Sequence, residues 1–354
     1  MAGKAAVIAL AALATSSCGR AAGATANDTG GLLAALGRAK PGEVITLAPG
    51  SYTNVVIKRF DGSATITSAD PSHPAVLTDL TIADSSGLTL KNLELSAANT
   101  PIGQFGAEAT IPFEVTRSKN VTLVALKVHG ALDGTLATDV SGLIIRNSDQ
   151  VTLADSDFSH LHNALNQFSN TNLTVRGNHF HGLRDDGVRG GGSSHVLIEN
   201  NRCEDNHPDP SDDDHPDCIQ FWTSGMTAVA HDITIRNNTY IRGKGRPTQG
   251  VFMRDETNHL PYEGVKIYGN VIEGAGYNGI TVFGAINPDI EDNYVCPYHD
   301  QQSWLIVRQV KRAMLADNRA SRYVLQDSSG VIQKNNKLIG ECPEGGEKKD
   351  AGAP

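Results

Sequence analysis

Aromatic residues and positive charge are both scarce in this sequence of 354 residues. Phe, Trp and Tyr make up 5% of it, while 36 residues are glycine, and this composition is poorly suited to the packed core of a helical bundle. The formal net charge of −9 argues against nucleic acid as a partner, because phosphate binding requires a basic surface. No apolar run reaches the roughly 20 residues that cross a bilayer, so we also expect no transmembrane segment.

The first 26 residues have the layout of a secretory signal. Lys4 precedes an apolar run at 5–14, and small residues follow. We therefore predict export to the periplasm or the medium. The stretch "TSSC" offers a second interpretation, in which Cys18 is acylated and anchors a lipoprotein.

The rest of the chain is expected to form one folded domain at 27–342 and a disordered tail at 343–354, which is poor in apolar residues. Four cysteines remain after export, and an even number favours disulfides in an oxidising compartment. We predict that Cys203 pairs with Cys218. Because no CxxC pair is present, a thiolate zinc site is not expected. We expect a monomer.

A six-residue unit of apolar, two variable, Asn, variable and apolar residues repeats along the chain, as in "VRGNHF" at 175–180 and "IEDNYV" at 290–295. Short steps near 23 residues without a helical period indicate one solenoid turn per repeat. The sequence therefore predicts an all-β, right-handed parallel β-helix of about ten coils with a short N-terminal capping helix. We expect the repeated asparagines to be structural and stacked along the helix axis. They are Asn178, Asn201, Asn238, Asn270, Asn293, Asn318 and Asn335.

A second strand follows each asparagine unit, and these strands align on inward apolar positions. The inward residues are Val188, Ile219, Val251 and Ile280. Strand alternation then leaves one side chain per coil on the outer face. This outer row comprises Asn166, Arg189, Gln220, Phe252 and Thr281. Asp186 and Asp217 occupy equivalent positions at the strand starts of successive coils, where alternation does not determine their orientation.

The coil repeats and asparagine ladder resemble the right-handed parallel β-helix enzymes that act on acidic polysaccharides, including pectate and alginate lyases and uronan epimerases. An acidic loop at 204–217 beside a basic loop carrying Lys244 and Arg246 adds to the resemblance. Within the acidic loop, "DDDHPD" holds the residues of the epimerases' Asp-Pro-His-Asp motif in a changed order. The resemblance implies an acidic polysaccharide as substrate.

β-Elimination on a uronic acid requires neutralisation of the substrate carboxylate and a base that removes the neighbouring proton. The catalytic candidates are Asp186, Arg189, His215, Asp217, Lys244 and Arg254. The substrate-binding candidates are Gln220, Arg246, Trp304, Arg308 and Lys311. Oxygen ligands suit Ca²⁺, and the candidate calcium ligands are Asp186, Asp214 and Asp217.

Other functions remain open. Hydrolysis would use two carboxyl groups, either Asp186 with Asp217 or a longer pairing that includes Asp185 or Asp255, although the Gly-His-Gly motif of polygalacturonases is absent. C5 epimerisation would share the chemistry of proton removal. The acidic loop could instead be a solvated insertion or a structural calcium loop. A surface β-helix for adhesion or glycan binding would show an evenly polar face.

Histidine is the last residue type with metal or catalytic chemistry, and the chain holds 12 of them. Four lie close together between residues 160 and 181 without the i, i+4 spacing of a helical metal site. We interpret these four as surface residues of the coils. They are His160, His162, His179 and His181.

Overall fold

The computed structural model describes residues 24–212 and 214–343. The predicted acylation site at Cys18 and almost all of the predicted tail lie outside the described residues. Thr25–Ala26, which we placed at the end of the signal, form the first strand and pair with Glu43–Leu47. Within the described part of the chain, no helix is long and apolar enough to cross a lipid bilayer.

The chain winds through three parallel sheets of 13, 12 and 11 strands, which we call sheets A, B and C in the order the chain visits them. Sheet A consists of Thr25–Ala26, Glu43–Leu47, Asp61–Ser68, Ser86–Lys91, Lys119–Val124, Asp149–Ala154, Thr171–Arg176, Val196–Glu199, Ile233–Arg236, Lys266–Tyr268, Asp289–Glu291, Met314–Ala316 and Ile332–Lys334. Sheet B consists of Ser51–Tyr52, Val76–Leu77, Glu94–Ser96, Lys127–His129, Asp157–Ser159, His179–His181, Arg202–Glu204, Thr239–Ile241, Val271–Glu273, Tyr294–Cys296, Arg319–Ala320 and Lys337–Leu338.

Sheet C consists of Val55–Lys58, Leu80–Ala83, Phe113–Thr116, Leu143–Arg146, Leu165–Phe168, Val188–Gly191, Asp217–Trp222, Gln249–Arg254, Asn278–Phe283, Trp304–Arg308 and Tyr323–Gln326. Two short strands, Tyr262–Glu263 and Ala285–Ile286, pair separately, and one 3₁₀ turn spans Leu136–Thr138. The predicted β-helix is confirmed. The 11 to 13 strands per sheet exceed the expected ten coils, because the first coils lack the asparagine by which the repeat was recognised.

A single α-helix, Thr29–Leu36, closes the N-terminal end, as predicted. The Asp28 carboxylate accepts a hydrogen bond from the backbone N–H of Gly31 at 2.6 Å, which satisfies one of the free donors in the first turn. Leu32 and Leu36 are buried against the first coil. The helix thus covers an apolar end that an open solenoid would expose to water.

The asparagine ladder runs at the bend between sheets A and B. Asn201 and Asn238 are each 2% exposed, and the Asn238 side-chain oxygen accepts from both the backbone N–H and the Nδ2 of Asn201, at 3.0 and 2.9 Å. The ladder ends at Asn336, and the prediction of Asn335 was wrong. Asn335 is exposed and left-handed, because Ile332 pairs with Met314 and so shifts the last repeat by one residue.

The inward and outward positions of sheet C agree with the alternation read from the repeats. Val188, Ile219 and Val251 are buried in the core. The register places the five predicted outer residues side by side on consecutive coils. The sheet therefore presents an ordered outer face on which the side chain of each coil lies about 4.8 Å from the next.

Two disulfides join segments of the solenoid. Cys203 is bonded to Cys218, as predicted, at a sequence separation of 15. This bond ties sheet B to sheet C at the base of the acidic loop. The second disulfide, between Cys296 and Cys342, fastens the C-terminal segment to sheet B.

Candidate active site

A cleft of about 510 Å³ lies where the bend from sheet B to sheet C meets the loop at 98–112. The acidic loop forms one wall of it. The ionisable residues that line the cleft are Glu108, His162, Arg184, Asp185, Arg189, Asp209, Asp212, Asp214 and His215.

A column of polar residues at the strand starts of sheet C underlies this cleft. The Asn163 side-chain oxygen accepts from the backbone N–H of Asp186 at 3.1 Å, and the Asp186 carboxylate accepts from the backbone N–H of Asp217 at 2.7 Å. Each of these side chains thus accepts a hydrogen bond from the backbone of the next coil. Asp186 and Asp217 are fully buried, so the bend turns both carboxyl groups beneath the cleft floor instead of into the cleft.

Arg189 connects this column to the cleft. Its Nη1 lies 2.9 Å from Glu108 Oε1, 3.0 Å from Asn163 Oδ1 and 3.3 Å from Asp185 Oδ2. Its Nε lies 3.3 Å from Asp186 Oδ2. The guanidinium also stacks over the ring of Trp222 at 5.0 Å, and 16% of the side chain remains exposed.

Three carboxyl groups around Arg189 have raised pKa values. Burial and the neighbouring Asp186 raise the pKa of Asp185 to about 8. Burial raises the pKa of Asp186 to about 6, against the opposing effect of Arg189. Burial and the two neighbouring aspartates hold the pKa of Asp217 well above its usual range. Because Asp185 lines the cleft, it presents a neutral carboxylic acid there at neutral pH.

Four buried polar atoms in this cluster make no hydrogen bond to any described residue. Two are Asp185 Oδ1 and Asp217 Oδ1, and the other two, Asp186 Oδ2 and Arg189 Nε, lie 3.3 Å apart as an ion pair without hydrogen-bond geometry. Folded proteins pair the great majority of their buried polar atoms. A group of unpaired atoms together with raised pKa values in a cleft is typical of a functional site.

Arg184 fastens the acidic loop to this side of the cleft. Its Nε donates to Asp214 Oδ2 at 2.7 Å, and it also pairs with Asp212. His162 Nδ1 accepts from the Asn163 side-chain amide at 3.0 Å, and burial lowers the pKa of His162. The ring is therefore neutral, and its Nε2–H lies 3.8 Å from Asp214 Oδ1.

The predicted calcium ligands do not fit a calcium ion. Both carboxylate oxygens of Asp214 already accept from Arg184, at 2.7 and 3.2 Å. Asp186 Oδ1 accepts from the backbone N–H of Asp217 at 2.7 Å, and Asp217 Oδ2 accepts from Gln220 Nε2 at 2.9 Å. The three carboxyl groups serve the internal hydrogen bonding of the site.

The other predicted residues fall into two groups. His215 lines the cleft, and its side chain makes no hydrogen bond or ion pair with any described residue. Gln220 does not line the cleft, and its Nε2 donates to Asp217 Oδ2 at 2.9 Å beneath the cleft floor. Lys244 and Arg246 lie on an exposed loop attached by backbone hydrogen bonds to residues 205 and 206, and they do not line the cleft.

Arg254, Trp304, Arg308 and Lys311 also lie away from the cleft, farther along the solenoid. Arg254 and Arg308 belong to a second outer row of sheet C, which we call the aromatic–arginine row. By register it runs through Phe168, Gly191, Trp222, Arg254, Phe283 and Arg308. Trp304 contacts Arg322 at 4.6 Å, and Lys311 lines a separate depression beside Asp255.

The cleft residues that sequence reasoning did not single out include Glu108, His162 and Arg184, and it also missed Trp222, which stacks on Arg189. Glu108 belongs to an insertion that carries no repeat, so the sequence offers no signal for it. Trp222 could have been found, because it lies two positions after Gln220 on the same strand face. His162 was interpreted as a surface residue, but it is 5% exposed.

Comparison with known proteins gives structural likenesses at low identity. No curated protein matches the chain in sequence. The surface adhesin PfbA of Streptococcus pneumoniae is 12% identical with a TM-score of 0.53, covering 89% of this chain and 88% of that one. A GH136 lacto-N-biosidase from Eubacterium ramulus is 12% identical with a TM-score of 0.50, covering 87% and 64%. An alginate lyase from Paenibacillus sp. is 14% identical with a TM-score of 0.47, covering 89% and 98%.

At these identities the likenesses show the fold alone. The family model described as the right handed beta helix region matches residues 113–295. This range is just over half of the chain and contains every strand around the cleft. The chain belongs to the right-handed β-helix family.

Proposed function

We propose that the protein is an exported enzyme that cleaves a uronic-acid-containing polysaccharide by β-elimination in the cleft on sheet C. The observation that carries this proposal is the contact of one half-buried guanidinium, Arg189, with the carboxyl groups of Asp185 and Asp186, of which Asp185 is neutral and opens to the cleft. An arginine beside a neutral carboxylic acid suits a substrate carboxylate, since both donate hydrogen bonds to it.

The first step is binding of the uronate carboxylate at Arg189. Glu108, whose side chain is 56% exposed, forms an ion pair with Arg189 in the free protein. The substrate carboxylate replaces Glu108 in this ion pair. Arg189, the Asp185 O–H and the His162 Nε2–H then surround the substrate carboxylate with donors. Negative charge that develops on this carboxylate during proton removal is thereby stabilised in a largely desolvated site.

The second step is proton removal and bond cleavage. His215 is exposed in the cleft and has no side-chain partner among the described residues, and histidine is the most common general base. It takes the proton from C5 of the sugar. The electron pair forms the C4–C5 double bond, the C4–O bond breaks, and the imidazolium returns the proton to the leaving oxygen.

The aromatic–arginine row supports an acidic polymer as substrate. Arg254 stacks over Phe283 at 5.4 Å, and Trp222 lies beside Arg189 at the cleft. Aromatic rings pack against sugar faces, and guanidinium groups bind carboxylates bidentately. The two disulfides support an oxidising compartment, and hence export.

Hydrolysis is the second candidate, because a carboxyl group with a pKa near 8 is also suited to act as a general acid. Hydrolysis needs a further carboxylate that reaches the sugar or a water beside it. Asp186 and Asp217, the two residues expected to form that pair, are fully buried. This burial is why we place elimination first.

The test is incubation of the purified protein with alginate, polygalacturonate and glycosaminoglycans. Ultraviolet absorbance of unsaturated ends and the number of reducing ends are followed together. We expect both to rise on one substrate. Reducing ends alone would replace elimination with hydrolysis, and solvent deuterium uptake at C5 without cleavage would indicate epimerisation. No change on any substrate would overturn the enzymatic proposal in favour of binding or adhesion.

A further inference from the structure

A second cluster of histidine and carboxylate side chains lies on sheet B, apart from the residues that line the cleft. His179 and His181 lie two positions apart on one strand, and Phe180 between them is fully buried. Both imidazoles therefore project from the outer face of the sheet. Asp157 is the direct register partner of His179 on the preceding coil.

The nitrogen and oxygen atoms of these three residues converge. His179 Nδ1 lies 3.2 Å from Asp157 Oδ2, and His181 Nε2 lies 3.1 Å from the same oxygen. One donor atom from each of the three residues falls within 4.8 Å of the others. Zinc ligands stand 2.0–2.2 Å from the metal in a tetrahedral arrangement, which separates them by roughly 3.3 Å. The two nitrogen–oxygen distances of 3.2 and 3.1 Å are close to that value.

Glu204, on the next coil, determines which nitrogen of His179 faces inward. Its Oε1 lies 2.7 Å from His179 Nε2, and because a carboxylate only accepts, Nε2 carries the proton. The other ring nitrogen, Nδ1, lies on the side of Asp157, 3.2 Å from its Oδ2, where a cation could bind both atoms. A carboxylate behind a ligand histidine is also the usual arrangement at protein metal sites.

We propose that Asp157, His179 and His181 bind a divalent transition-metal ion, with Glu204 as the positioning residue for His179. Two imidazoles and one carboxylate favour Zn²⁺, Cu²⁺ or Ni²⁺ over Ca²⁺ or Mg²⁺, which take oxygen ligands. Three protein ligands leave a fourth position for water. The ion would cross-link two successive coils of sheet B.

The surrounding charges are compatible with a cation. Arg202 is the nearest basic residue in the register, and its guanidinium is engaged by the second oxygen of Glu204. Lys127, on the other side of Asp157, lies 3.7 Å from Glu94. The two carboxylates that contact the histidines, those of Asp157 and Glu204, thus outnumber the one guanidinium beside them, that of Arg202.

A second histidine pair provides a matched control. His195 and His231 both approach Asp232 Oδ2 at 3.1 Å. That cluster is more exposed, with 45%, 46% and 60% of the three side chains accessible. Within the described residues, neither ring has a carboxylate behind it on its other nitrogen. The cluster of His195, His231 and Asp232 therefore has the same residue types as the proposed site but lacks a positioning carboxylate.

The test is calorimetric titration of the chelator-stripped, folded protein with ZnCl₂ and, separately, with CaCl₂. We expect one Zn²⁺ per chain and no Ca²⁺ binding at this cluster. His179→Ala and Asp157→Ala should abolish the Zn²⁺ signal. Glu204→Gln should weaken it about 10- to 100-fold, as is usual for the loss of a group that orients a ligand. His195→Ala should bind Zn²⁺ as the wild type does.

Thermal unfolding with and without Zn²⁺ gives a second measurement that does not depend on enzymatic activity. Zn²⁺ should raise the Tm of the wild type and of His195→Ala, but not that of His179→Ala, because a ligand that binds only the folded state stabilises it. Absence of Zn²⁺ binding by the folded wild type would overturn the proposal. So would binding that survives in His179→Ala and Asp157→Ala, or that disappears in His195→Ala.

Discussion

Arg189 contacts side chains that are far apart in the sequence. Its guanidinium meets Glu108, 81 positions upstream, as well as Asn163 and Asp185. The stack on Trp222 fixes the plane of the guanidinium. Lysine would keep the charge at this position but would lose the planar fork and the stacking.

We expect Arg189→Ala to lower kcat by about 10²-fold or more, since a donor that stabilises developing charge is removed. Arg189→Lys should recover only part of this loss. Arg117→Ala is the control, because Arg117 forms an exposed ion pair with Asp84 outside the cleft. Steady-state kinetics with a Tm for each variant makes the comparison. Near wild-type turnover in Arg189→Ala would show that the catalytic cleft lies elsewhere.

Asp185 predicts a pH dependence of activity. Its pKa is raised to about 8, so it is protonated below that pH and loses its proton above it. We expect kcat/KM to fall above about pH 8, and Asp185→Asn, which keeps a donor but cannot ionise, to lose this decline. Asp139→Asn is the control, because burial raises the pKa of Asp139 to about 7 but Asp139 does not line the cleft.

The same groups predict how stability varies with pH. A carboxyl group whose pKa is raised in the folded state contributes most below its ordinary pKa, and the contribution is lost as the pH rises through the folded value. For Asp186 the stabilisation is lost between its ordinary pKa of 3.8 and about pH 6. For Asp185 it is lost between 3.8 and about pH 8. Thermal unfolding should therefore show a Tm that declines over this range, with a shallower decline in Asp185→Asn. A Tm that rises over the range would contradict the raised pKa values.

At the scale of the structural elements, the bends hold the coils together through side chains rather than through backbone pairing alone. The left-handed conformation at the bend between sheets A and B is taken by the residue before each ladder asparagine, such as Asn200 and Asn237. The ladder asparagine itself bonds to the adjacent coils. Serine performs the same task at the bend between sheets C and A, where Ser85 N donates to Ser118 Oγ at 3.1 Å.

We expect Asn238→Ala to lower the free energy of unfolding by about 2 to 4 kcal/mol, since it removes buried hydrogen bonds to the backbone N–H and Nδ2 of Asn201 and to the carbonyl of Ile198. Asn336→Ala is the matched control at the half-exposed end of the ladder, where water can replace the lost bonds. Its cost should be about 1 kcal/mol or less. Denaturant unfolding measures both. Equal losses of unfolding free energy in the two variants would contradict a larger contribution from the buried asparagines of the ladder.

At the scale of the whole molecule, the aromatic–arginine row extends the cleft along the solenoid axis. Trp222, Arg254, Phe283 and Arg308 lie on four consecutive coils, a span of roughly 14 Å at the strand spacing of parallel sheets. A polymer bound in the cleft would continue over this row. A short oligosaccharide would not reach its far end.

We therefore expect Arg254→Ala and Arg308→Ala to raise KM for long acidic chains several-fold while leaving kcat and the KM of the shortest substrate unchanged. Each variant loses one exposed charged contact with the substrate, and such a contact contributes about 1 kcal/mol or less. Lys119→Ala is the control, since Lys119 pairs with Asp149 on sheet A. Kinetics on size-fractionated oligosaccharides distinguish the cases. An equal effect on short and long substrates would contradict an extended binding row.

The solenoid could be predicted from the sequence, because a β-helix is specified by contacts between residues one repeat apart. The asparagine unit, the inward apolar positions and the outer row of sheet C all follow from that spacing. So does the closeness of Asp157 to His179, since "LADSDF" at 153–158 aligns with "VRGNHF" at 175–180.

The residues and charges of the cleft could not be predicted in this way, because they depend on how distant segments pack. The strand-start bend buries Asp186 and Asp217 where alternation gives no rule, and the insertion at 98–112 brings Glu108 to Arg189. Burial then changes the pKa of each carboxyl group, and burial depends on every segment packed around it. A repeat carries information about neighbours one coil away, but the environment of an ionisable group is set by insertions that follow no repeat.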